Sequence, residues 1–370
     1  MDTCLEGATG AGRLIESLRR LALHALPRMY LPRQRRFVFC IRRTPAGDLP
    51  EGVSRRYTAI SLIGLASEPP SVAGSILAGQ DPAQVCRSLI DETGAMTDLG
   101  EVALTLWAAR ALGLEANKAA LAHLEELDPA KGPWPTVEVA WSLAALCYGS
   151  LGLSQPALAE RIARRLLASQ DVESDLFAHW PPEVPRSRLR GHVLCFADLV
   201  YPTQALSHYY IASGMEEALM AARRCARRMV QLRGPAGQWW WHYDVRTGNV
   251  VERYPVYSVH QDGMGPMALL ALKQAGGEDY AQAVERSLSW MERAPEIGRS
   301  LMDEQAGLIW RKVCRREPGK LSRGLQAAIS GAFPSLRMPG LNWLFPPKNV
   351  DWESRPYHMG WILHAFGPKA

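Results

Sequence analysis

The chain has 370 residues, with 42 lysine and arginine residues against 37 acidic residues and a hydrophobic fraction of 47%. A chain of this length and composition can bury a large core, which excludes an intrinsically disordered protein, a collagen-like chain and a small disulfide-stabilised scaffold. The seven cysteines are scattered and form no CxxC pair, so we expect reduced thiols in a cytoplasmic protein.

The first region of the chain, residues 1–56, is basic. It holds eleven arginines, no lysine and five acidic residues, so its net charge is 11 − 5 = +6. Residues 14–26 are apolar on one side only, which matches neither a signal peptide nor a membrane-spanning helix. Such a segment can contact anionic lipid or a polyanionic substrate, or it can be a solvated surface. We expect one domain over 57–370, with the segment 1–56 packed on it or flanking it. We expect no nucleic-acid binding, because no binding motif occurs.

From residue 57 onward, apolar residues recur every three or four positions in segments of helical length. The segments come in pairs with short internal links, whereas the links between pairs are longer and contain Trp, Gly and Pro. The predicted pairs are 57–66 with 82–90, 101–113 with 117–127, 137–149 with 156–169, 198–213 with 215–231, 264–275 with 278–292, and a last helix at 357–366 with 301–313 as a possible partner.

Helical hairpins that repeat in this way bury their apolar faces only by stacking on their neighbours. Roughly six pairs in one chain predict an all-α fold, an α/α toroid, in which the pairs close into a ring. The first helix of each pair is then expected to line the inside, and the longer loops between pairs are expected to gather at one mouth.

One motif supports this fold. Gln231, Gly237 and Trp239 form a Q-x5-G-x-W pattern, and Gln170 with Trp180 is a looser version. The pattern resembles the QW repeat of the terpenoid-cyclase and protein-prenyltransferase toroids. Glycosidases, polysaccharide lyases, sugar epimerases and lanthionine cyclases built on α/α toroids also place Gln and Gly-x-Trp at this corner. The resemblance therefore implies the fold and leaves the chemistry open.

The first polar and aromatic segment enters a predicted inner helix. On a helix that begins near Pro202, Gln204 and His208 lie four residues apart and share a face. We predict Asp198 as a catalytic residue, and Tyr201 and His208 as substrate-binding residues. In the alternative interpretation, Asp198 is a capping or loop carboxylate and His208 is a core histidine.

The second segment, residues 239–266, is the richest in aromatic and titratable residues. Its first half predicts a β-hairpin insertion near 239–258, with a Thr-Gly-Asn turn at 247–249. Flat aromatic rings stack on sugars, arginine can hold a carboxylate through two hydrogen bonds, and buried His, Tyr or Asp can act as acid or base. We predict as catalytic Tyr257, His260 and Asp262, and as substrate-binding Trp241, His242, Arg253, Tyr254 and Gln261. The alternative is that the aromatic residues only pack and that Asp262 caps a helix.

The third segment has a similar layout, with charged and aromatic residues at the start of an apolar helix. Here we predict Tyr357 and His358 as catalytic residues, and Glu353 and Arg355 as substrate-binding residues. Glu138 occupies a comparable position in an earlier pair, where we interpret it as a carboxylate that stabilises the first helical turn.

Several motifs are missing. The chain has no HExxH, no CxxC set, no EF-hand loop, no P-loop and no strand-associated GxGxxG, so we expect neither a metal nor a cofactor. It also has neither D-x-D-D nor D-D-x-x-D, the aspartate-rich motifs that terpene cyclases need.

Three hypotheses follow for the function. The first is an enzyme that acts on a polysaccharide or oligosaccharide, with uronic acids as candidate sugars, either by proton abstraction as in epimerases and lyases or by hydrolysis. A hydrolase needs two carboxylates about 5–9.5 Å apart, for which the candidates are Asp198, Asp262 and Glu353. The second is an isoprenoid cyclase, whose carbocations aromatic rings can stabilise. The third is a toroid that binds glycan without catalysis. The basic segment leaves peripheral membrane contact as a further alternative.

Overall fold

The computed structural model describes residues 10–368 except 116, 150, 188, 318–320, 334, 335, 337 and 339. Most of the described chain is helical. The helices are, in chain order, α1 (Gly10–Met29), α2 (Arg55–Leu65), α3 (Pro70–Ile76), α4 (Pro82–Ile90), α5 (Leu99–Ala111), α6 (Lys118–Glu126), α7 (Thr136–Cys147), α8 (Pro156–Ala168), α9 (Phe196–Ser213), α10 (Glu216–Gln231), α11 (Gly265–Gln274), α12 (Ala281–Glu292), α13 (Leu321–Ala332), α14 (Leu341–Leu344) and α15 (Pro356–Phe366).

Short strands occupy the loops between the helices. They are β1 (Tyr30–Leu31), β2 (Arg36–Phe37), β3 (Cys40–Thr44), β4 (Gly47–Glu51), β5 (Val193–Cys195), β6 (His242–Asp244), β7 (Val250–Glu252), β8 (Val256–Tyr257), β9 (Met302–Asp303), β10 (Leu308–Ile309), β11 (Lys312–Cys314), β12 (Asn349–Asp351) and β13 (Glu353–Ser354). They pair in two- and three-stranded sheets, in the orders β1-β2, β9-β10, β12-β11-β8, β13-β3-β4 and β5-β6-β7.

The helices form the predicted α/α toroid. Six helices pack side by side around the inside, in the order α2, α5, α7, α9, α11 and α15, and α15 returns to pack against α2. The outer layer follows the same order, because α4, α6, α8, α10 and α12 each come after an inner helix in the chain. The predicted β-hairpin insertion is confirmed as well, since β6 and β7 pair antiparallel on either side of the 247–249 turn.

Local sequence explains these helices. Asp98 caps the N-terminus of α5 by accepting the Glu101 N–H at 2.8 Å, and Asn117 caps α6 in the same way. The outer helices are amphipathic: α8, for example, buries Leu158, Ile162 and Leu166 and exposes Glu160, Arg161 and Arg164. The inner helices are apolar nearly all round because they have neighbours on every side, as α5 illustrates.

The ring closes where the two ends of the chain meet. Helix α1 fills the outer position behind α15, and its buried stripe includes Leu14, Leu18 and Leu21. Residues 301–313, suggested from the sequence as the partner of the last helix, instead contain the short strands β9 and β10 and most of β11. Inner helices α15 and α2 approach closely at Gly360 and Gly64, where a Cβ on either glycine would collide with the backbone of the other helix.

The basic N-terminal region is tied to the ring by ion pairs. Its arginines reach carboxylates of other elements, namely Arg19–Glu68, Arg20–Glu304, Arg36–Glu92, Arg42–Glu353, Arg43–Asp303, Arg55–Glu92 and Arg56–Asp98. Among the described residues, none of the helices combines the length and hydropathy that crossing a bilayer requires.

Candidate functional site

Five of the inner helices are followed in the chain by an outer helix, and α1 takes the outer position behind the last one, α15. Contacts between residues near the helix N-termini place these ends of α2, α7, α9 and α15 together at one end of the ring. Polar and aromatic side chains lie in the first turns at this end, which we call the mouth. Tyr57 of α2 and Tyr357 of α15 have ring centroids 4.7 Å apart, and Tyr201 of α9 packs on Trp141 of α7 at 5.1 Å. The mouth thus brings together side chains from opposite ends of the chain.

Tyr257, immediately before the first turn that leads into α11, lies among cationic and aromatic groups. The Arg311 guanidinium lies 5.4 Å and the Lys312 ammonium 5.3 Å from the centre of its ring. The Trp241 ring is 5.7 Å away, and the guanidinium of Arg323 lies 4.0 Å from the centre of that indole. We call Tyr257, Tyr357, Arg311, Arg323 and Arg355 the arginine–tyrosine group.

The arginines of this group are only partly neutralised. Arg311 Nη1 donates to Glu353 at 3.0 Å and to Asp351 at 3.2 Å, and Arg355 Nη2 donates to Glu353 at 2.7 Å. The Nε atoms of Arg311 and Arg323 are buried and have no hydrogen-bond partner within the described chain. Guanidinium donors left unpaired in this way suit an anionic ligand.

Burial and the neighbouring positive charges shift the pKa values of the two tyrosines in opposite directions. Burial raises the pKa of Tyr257, and the nearby Arg311, Arg323 and Arg355 oppose that rise. Burial also raises the pKa of Tyr357, with Arg311 and Arg355 again opposing it. The phenol groups are therefore neutral at pH 7, and the nearby guanidinium groups lower the free-energy cost of forming a phenolate.

His260 and His242, two further predicted site residues, lie beside Tyr257. The His260 ring packs between Phe196, at 4.7 Å, and Tyr257, at 4.9 Å, while His242 stacks on Trp241 at 3.8 Å. Burial lowers the pKa of His260 to about 3 and that of His242 well below its usual value. Both imidazoles are thus neutral at pH 7.

Asp198 caps the N-terminus of α9 and pairs with a histidine that the sequence analysis did not select. Its Oδ2 accepts the Cys195 N–H at 2.7 Å, and both its oxygens lie 3.0 Å from Nδ1 of His179. Helix α9 begins at Phe196 rather than near Pro202, because this cap lies before the proline. The carboxylate is fully buried, whereas the imidazole is 36% exposed, and Asp198 raises the pKa of His179.

A second buried pair joins two further predicted residues. Nε2 of His358, in α15, lies 2.7 Å from Oδ1 of Asp262, in the turn of residues His260–Met264 that precedes α11. The side chains are 3% and 0% exposed, and burial raises the pKa of Asp262, opposed by His358. This pair links neighbouring inner helices, and both of its side chains are buried.

Other predicted residues surround the arginine–tyrosine group. The Gln261 side chain bonds to backbone atoms of Trp239 and Tyr257, so it holds the Q-x5-G-x-W corner in place. Arg253 lies over the ring of Trp240. Tyr254 approaches Glu296 and lines a neighbouring cleft of about 290 Å³, which also contains Lys312, Arg323 and Asp351.

Gln204 and His208 lie further along α9, away from its N-terminus. Gln204 Nε2 is 2.9 Å from Nε2 of His364, and the His208 ring meets that of Tyr148 edge-on at 4.9 Å. Burial lowers the pKa of His208 to about 4, so this histidine is neutral at pH 7.

Glu138, interpreted from the sequence as a carboxylate of a first helical turn, does occupy the first turn of α7. It accepts a hydrogen bond from Arg56 at 2.7 Å, and Arg56 also donates to Asp98. Burial raises the pKa of Glu138, and Arg56 opposes that shift. This ion pair neutralises the carboxylate at the edge of the mouth.

Sequence reasoning missed several residues of the mouth: Tyr57, His179, Cys195, Arg311 and Arg323. A signal existed for His179, which precedes the Trp-Pro-Pro of a long loop between pairs, and such loops are expected at the mouth. Arg311 follows Trp310, another marker of an inter-pair loop. Tyr57 and Arg323 had no sequence signal, because only the tertiary structure brings them to the site. Cys195 lies three residues before the predicted Asp198 and joins the site through the same helix cap.

No protein-family model and no curated protein matches the chain by sequence. Solved structures do match its fold. A possible member of the GH105 family from Salmonella enterica serovar Paratyphi A has a TM-score of 0.57 at 11% identity, over 99% of this chain and 96% of that chain. An unsaturated glucuronyl hydrolase from Streptococcus agalactiae has a TM-score of 0.52 at 8% identity, over 99% of this chain and 93% of that chain.

A type II terpene cyclase from Scytonema is similar to the same degree. Its TM-score is 0.51 at 12% identity, over 96% of this chain and 97% of that chain. These matches agree that the chain is an α/α toroid. Because toroids of this shape carry different chemistries, the fold alone does not select a reaction.

Proposed function

We propose that this protein is a carbohydrate-active enzyme that removes the proton next to the carboxylate of a uronic-acid residue, as epimerases and lyases do. The observation that carries the proposal is the arginine–tyrosine group, in which two buried guanidinium Nε atoms have no hydrogen-bond partner among the described residues and Arg311 lies beside Tyr257. The remaining steps assign a role to each part of the group.

The arginines suit the sugar carboxylate. Arg311, Lys312, Arg323 and Arg355 carry four positive charges near Tyr257, while Asp351 and Glu353 carry two negative charges. The N-terminal ends of the inner helices add partial positive charge at the same end of the ring. An anionic substrate is therefore favoured over a neutral one.

The tyrosines suit proton transfer. When the C5 proton of a uronate leaves, the electron pair moves onto the carboxylate, and nearby guanidinium groups stabilise the charge that develops there. Tyr257 would first lose its phenol proton to solvent, and the phenolate, stabilised by Arg311 and Arg323, would then accept the C5 proton. Tyr357, as a neutral phenol, would donate a proton. Donation to C5 from the opposite face gives epimerisation, whereas expulsion of the C4 oxygen substituent gives an unsaturated sugar, as in a lyase.

Hydrolysis fits the site less well. Of its three candidate carboxylates, Asp198 and Asp262 are completely buried, and Glu353 is bound by arginines that hold its pKa below the usual range against the effect of burial. None of the three is free to attack or protonate a glycosidic bond across an open gap.

One observation favours a second candidate function, that of an isoprenoid cyclase. Aromatic rings of several inner helices meet inside the ring, where Trp107 lies 5.4 Å from Trp361 and Trp361 lies 5.9 Å from Tyr201. Such rings can stabilise a carbocation. The cationic mouth and the missing aspartate-rich motifs favour the uronate reaction instead.

The test is proton NMR of the protein in D2O with uronic-acid and neutral polysaccharides. We expect deuterium at C5 of a uronate, or new unsaturated chain ends, and a loss of about a hundredfold or more in Tyr257→Phe. Tyr210→Phe is the matched control, because Tyr210 is far along α9 and its hydroxyl approaches Glu216 at the surface. Unchanged spectra for folded protein across the uronate panel would contradict the proposal, as would equal activity in the two variants.

Membrane contact by the basic N-terminal region remains a prediction. The ion pairs of that region leave fewer arginines available for lipid than the sequence suggests. Binding to vesicles with and without anionic lipid would test it.

A further inference from the structure

Three side chains with different donor atoms meet beside the mouth. The His179 ring nitrogens, the Cys195 thiol sulfur and the Asp198 carboxylate offer ligand atoms that all lie within 4.8 Å of one another. They come from a loop between two helical pairs, the end of β5 and the first turn of α9. The cluster is distinct from the arginine–tyrosine group and has no part in the proton transfer proposed above.

The backbone holds this cluster in place. Asp198 and Cys195 are joined by the helix cap, and the thiol forms part of the same capping arrangement. The His179 loop is fixed to the start of α7, because Thr136 donates its N–H to the His179 carbonyl at 3.0 Å and its hydroxyl to the Ala178 carbonyl. The donors are therefore preorganised on rigid elements.

The carboxylate of this cluster lacks a permanent positive partner. Asp198 is fully buried, and its ion pair within the described chain is with His179, which is charged only when protonated. Two other buried carboxylates pair with arginine, Asp244 with Arg246 and Glu252 with Arg315, whereas Asp262 pairs with His358. A bound cation would compensate the charge of Asp198 whatever the protonation state of the histidine.

We propose that His179, Cys195 and Asp198 bind a divalent cation of the Zn2+ class. Thiolate and imidazole donors favour Zn2+ and similar ions, whereas Mg2+ and Ca2+ prefer oxygen ligands throughout. Three protein ligands leave a fourth tetrahedral position. Among the three, His179 is partly exposed, so an external ligand can approach the cluster. The fourth ligand would be an oxygen, from water or from a ligand held there. The thiol loses its proton when the metal binds, so binding releases a proton to the solvent.

The test is a titration of the untagged, chelator-treated protein with Co2+, a spectroscopic substitute for Zn2+. We expect about one Co2+ per chain, with the visible bands of a tetrahedral site and a thiolate-to-cobalt charge-transfer band. Cys195→Ser should lose the charge-transfer band and weaken binding at least about tenfold, because serine keeps a capping oxygen but is a poor ligand for this ion. Cys314→Ser, at another partly exposed cysteine, is the matched control and should keep both the charge-transfer band and the wild-type affinity for Co2+.

A second variant separates the loss of a metal ligand from the loss of the fold. His179→Gln removes a ligand from a loop while leaving the Asp198 cap intact, and should also weaken Co2+ binding, with the far-UV circular dichroism unchanged. Absence of binding by the wild-type protein, or a charge-transfer band that survives Cys195→Ser, would overturn the proposal. Because this titration needs no substrate, its failure is independent of the uronate experiment, and the two proposals can be judged separately.

Discussion

Two histidine–aspartate pairs occupy the inner wall of this toroid, and they differ in access rather than in chemistry. His179–Asp198 has a side chain that is 36% exposed and a cysteine beside it, whereas both side chains of His358–Asp262 are buried. In the first, Nδ1 lies 3.0 Å from each carboxylate oxygen; in the second, Nε2 lies 2.7 Å from one oxygen, and the other oxygen has no partner within the described chain.

The comparison separates a site from a structural link. A buried pair with no third donor and no access can hold two helices together but cannot bind a ligand. An accessible pair with a third donor can bind one. His358 and Asp262 were predicted as catalytic residues, and we now propose that they stabilise the contact between α11 and α15, while Asp198 acts with His179.

The largest expected effect is on stability. His358→Ala should lower the free energy of unfolding by about 3–5 kcal/mol, because it leaves a buried carboxyl group without its partner. His179→Ala should cost about 1 kcal/mol or less, since its imidazole is partly exposed and the helix cap remains. Urea unfolding of both variants measures the difference. Equal losses would show that access does not distinguish the two pairs.

An intermediate effect is the loss of stability at acidic pH. It tests whether the free energy of unfolding depends on buried histidines that stay neutral in the folded protein. The pKa of His208 is lowered to about 4, below its unfolded value of about 6.5. Its contribution to stability is therefore complete above pH 6.5 and is lost as the pH falls toward 4, by about 1 kcal/mol per pH unit. His260, whose pKa is lowered to about 3, also contributes stability that is lost as the pH falls.

The measurement is the urea midpoint of the wild-type protein and His208→Gln between pH 7 and pH 4. The variant should lose stability less steeply as the solution becomes acidic, because it lacks one of the histidines whose pKa is lowered by burial. Parallel curves would mean that His208 does not titrate in the folded protein as its burial implies.

The smallest expected effect is that of Cys195→Ser on stability. Without metal, the change in unfolding free energy should stay within about 0.5 kcal/mol, because serine is a good residue at a helix N-cap. With Zn2+ present, the wild-type melting temperature should rise more than that of the variant, since a bound ion stabilises the folded state. A large loss of unfolding free energy without metal would mean that the thiol has a structural role. The two histidine–aspartate pairs would then not differ in function as we propose.

Much of the fold could be predicted from the sequence. The helical period depends on neighbours three and four residues away, so segments such as 82–90 and 156–169 matched α4 and α8 closely. Residues 301–313 misled because a short apolar run fits a strand as well as a helix. The role of α1 behind α15 could not be predicted, because it depends on the meeting of the two chain ends.

The candidate site, like the fold, could be predicted from the sequence only in part. The sequence by itself determined which segments are rich in chemical groups, and Tyr257, Tyr357 and Arg355 do meet at the mouth. Only the tertiary structure decided which groups become partners: Asp198 with His179, Asp262 with His358, and Tyr257 with Arg311. Spacing along the chain reports one face of one helix, whereas a ring places side chains from distant hairpins within a few ångströms and buries one pair while exposing another.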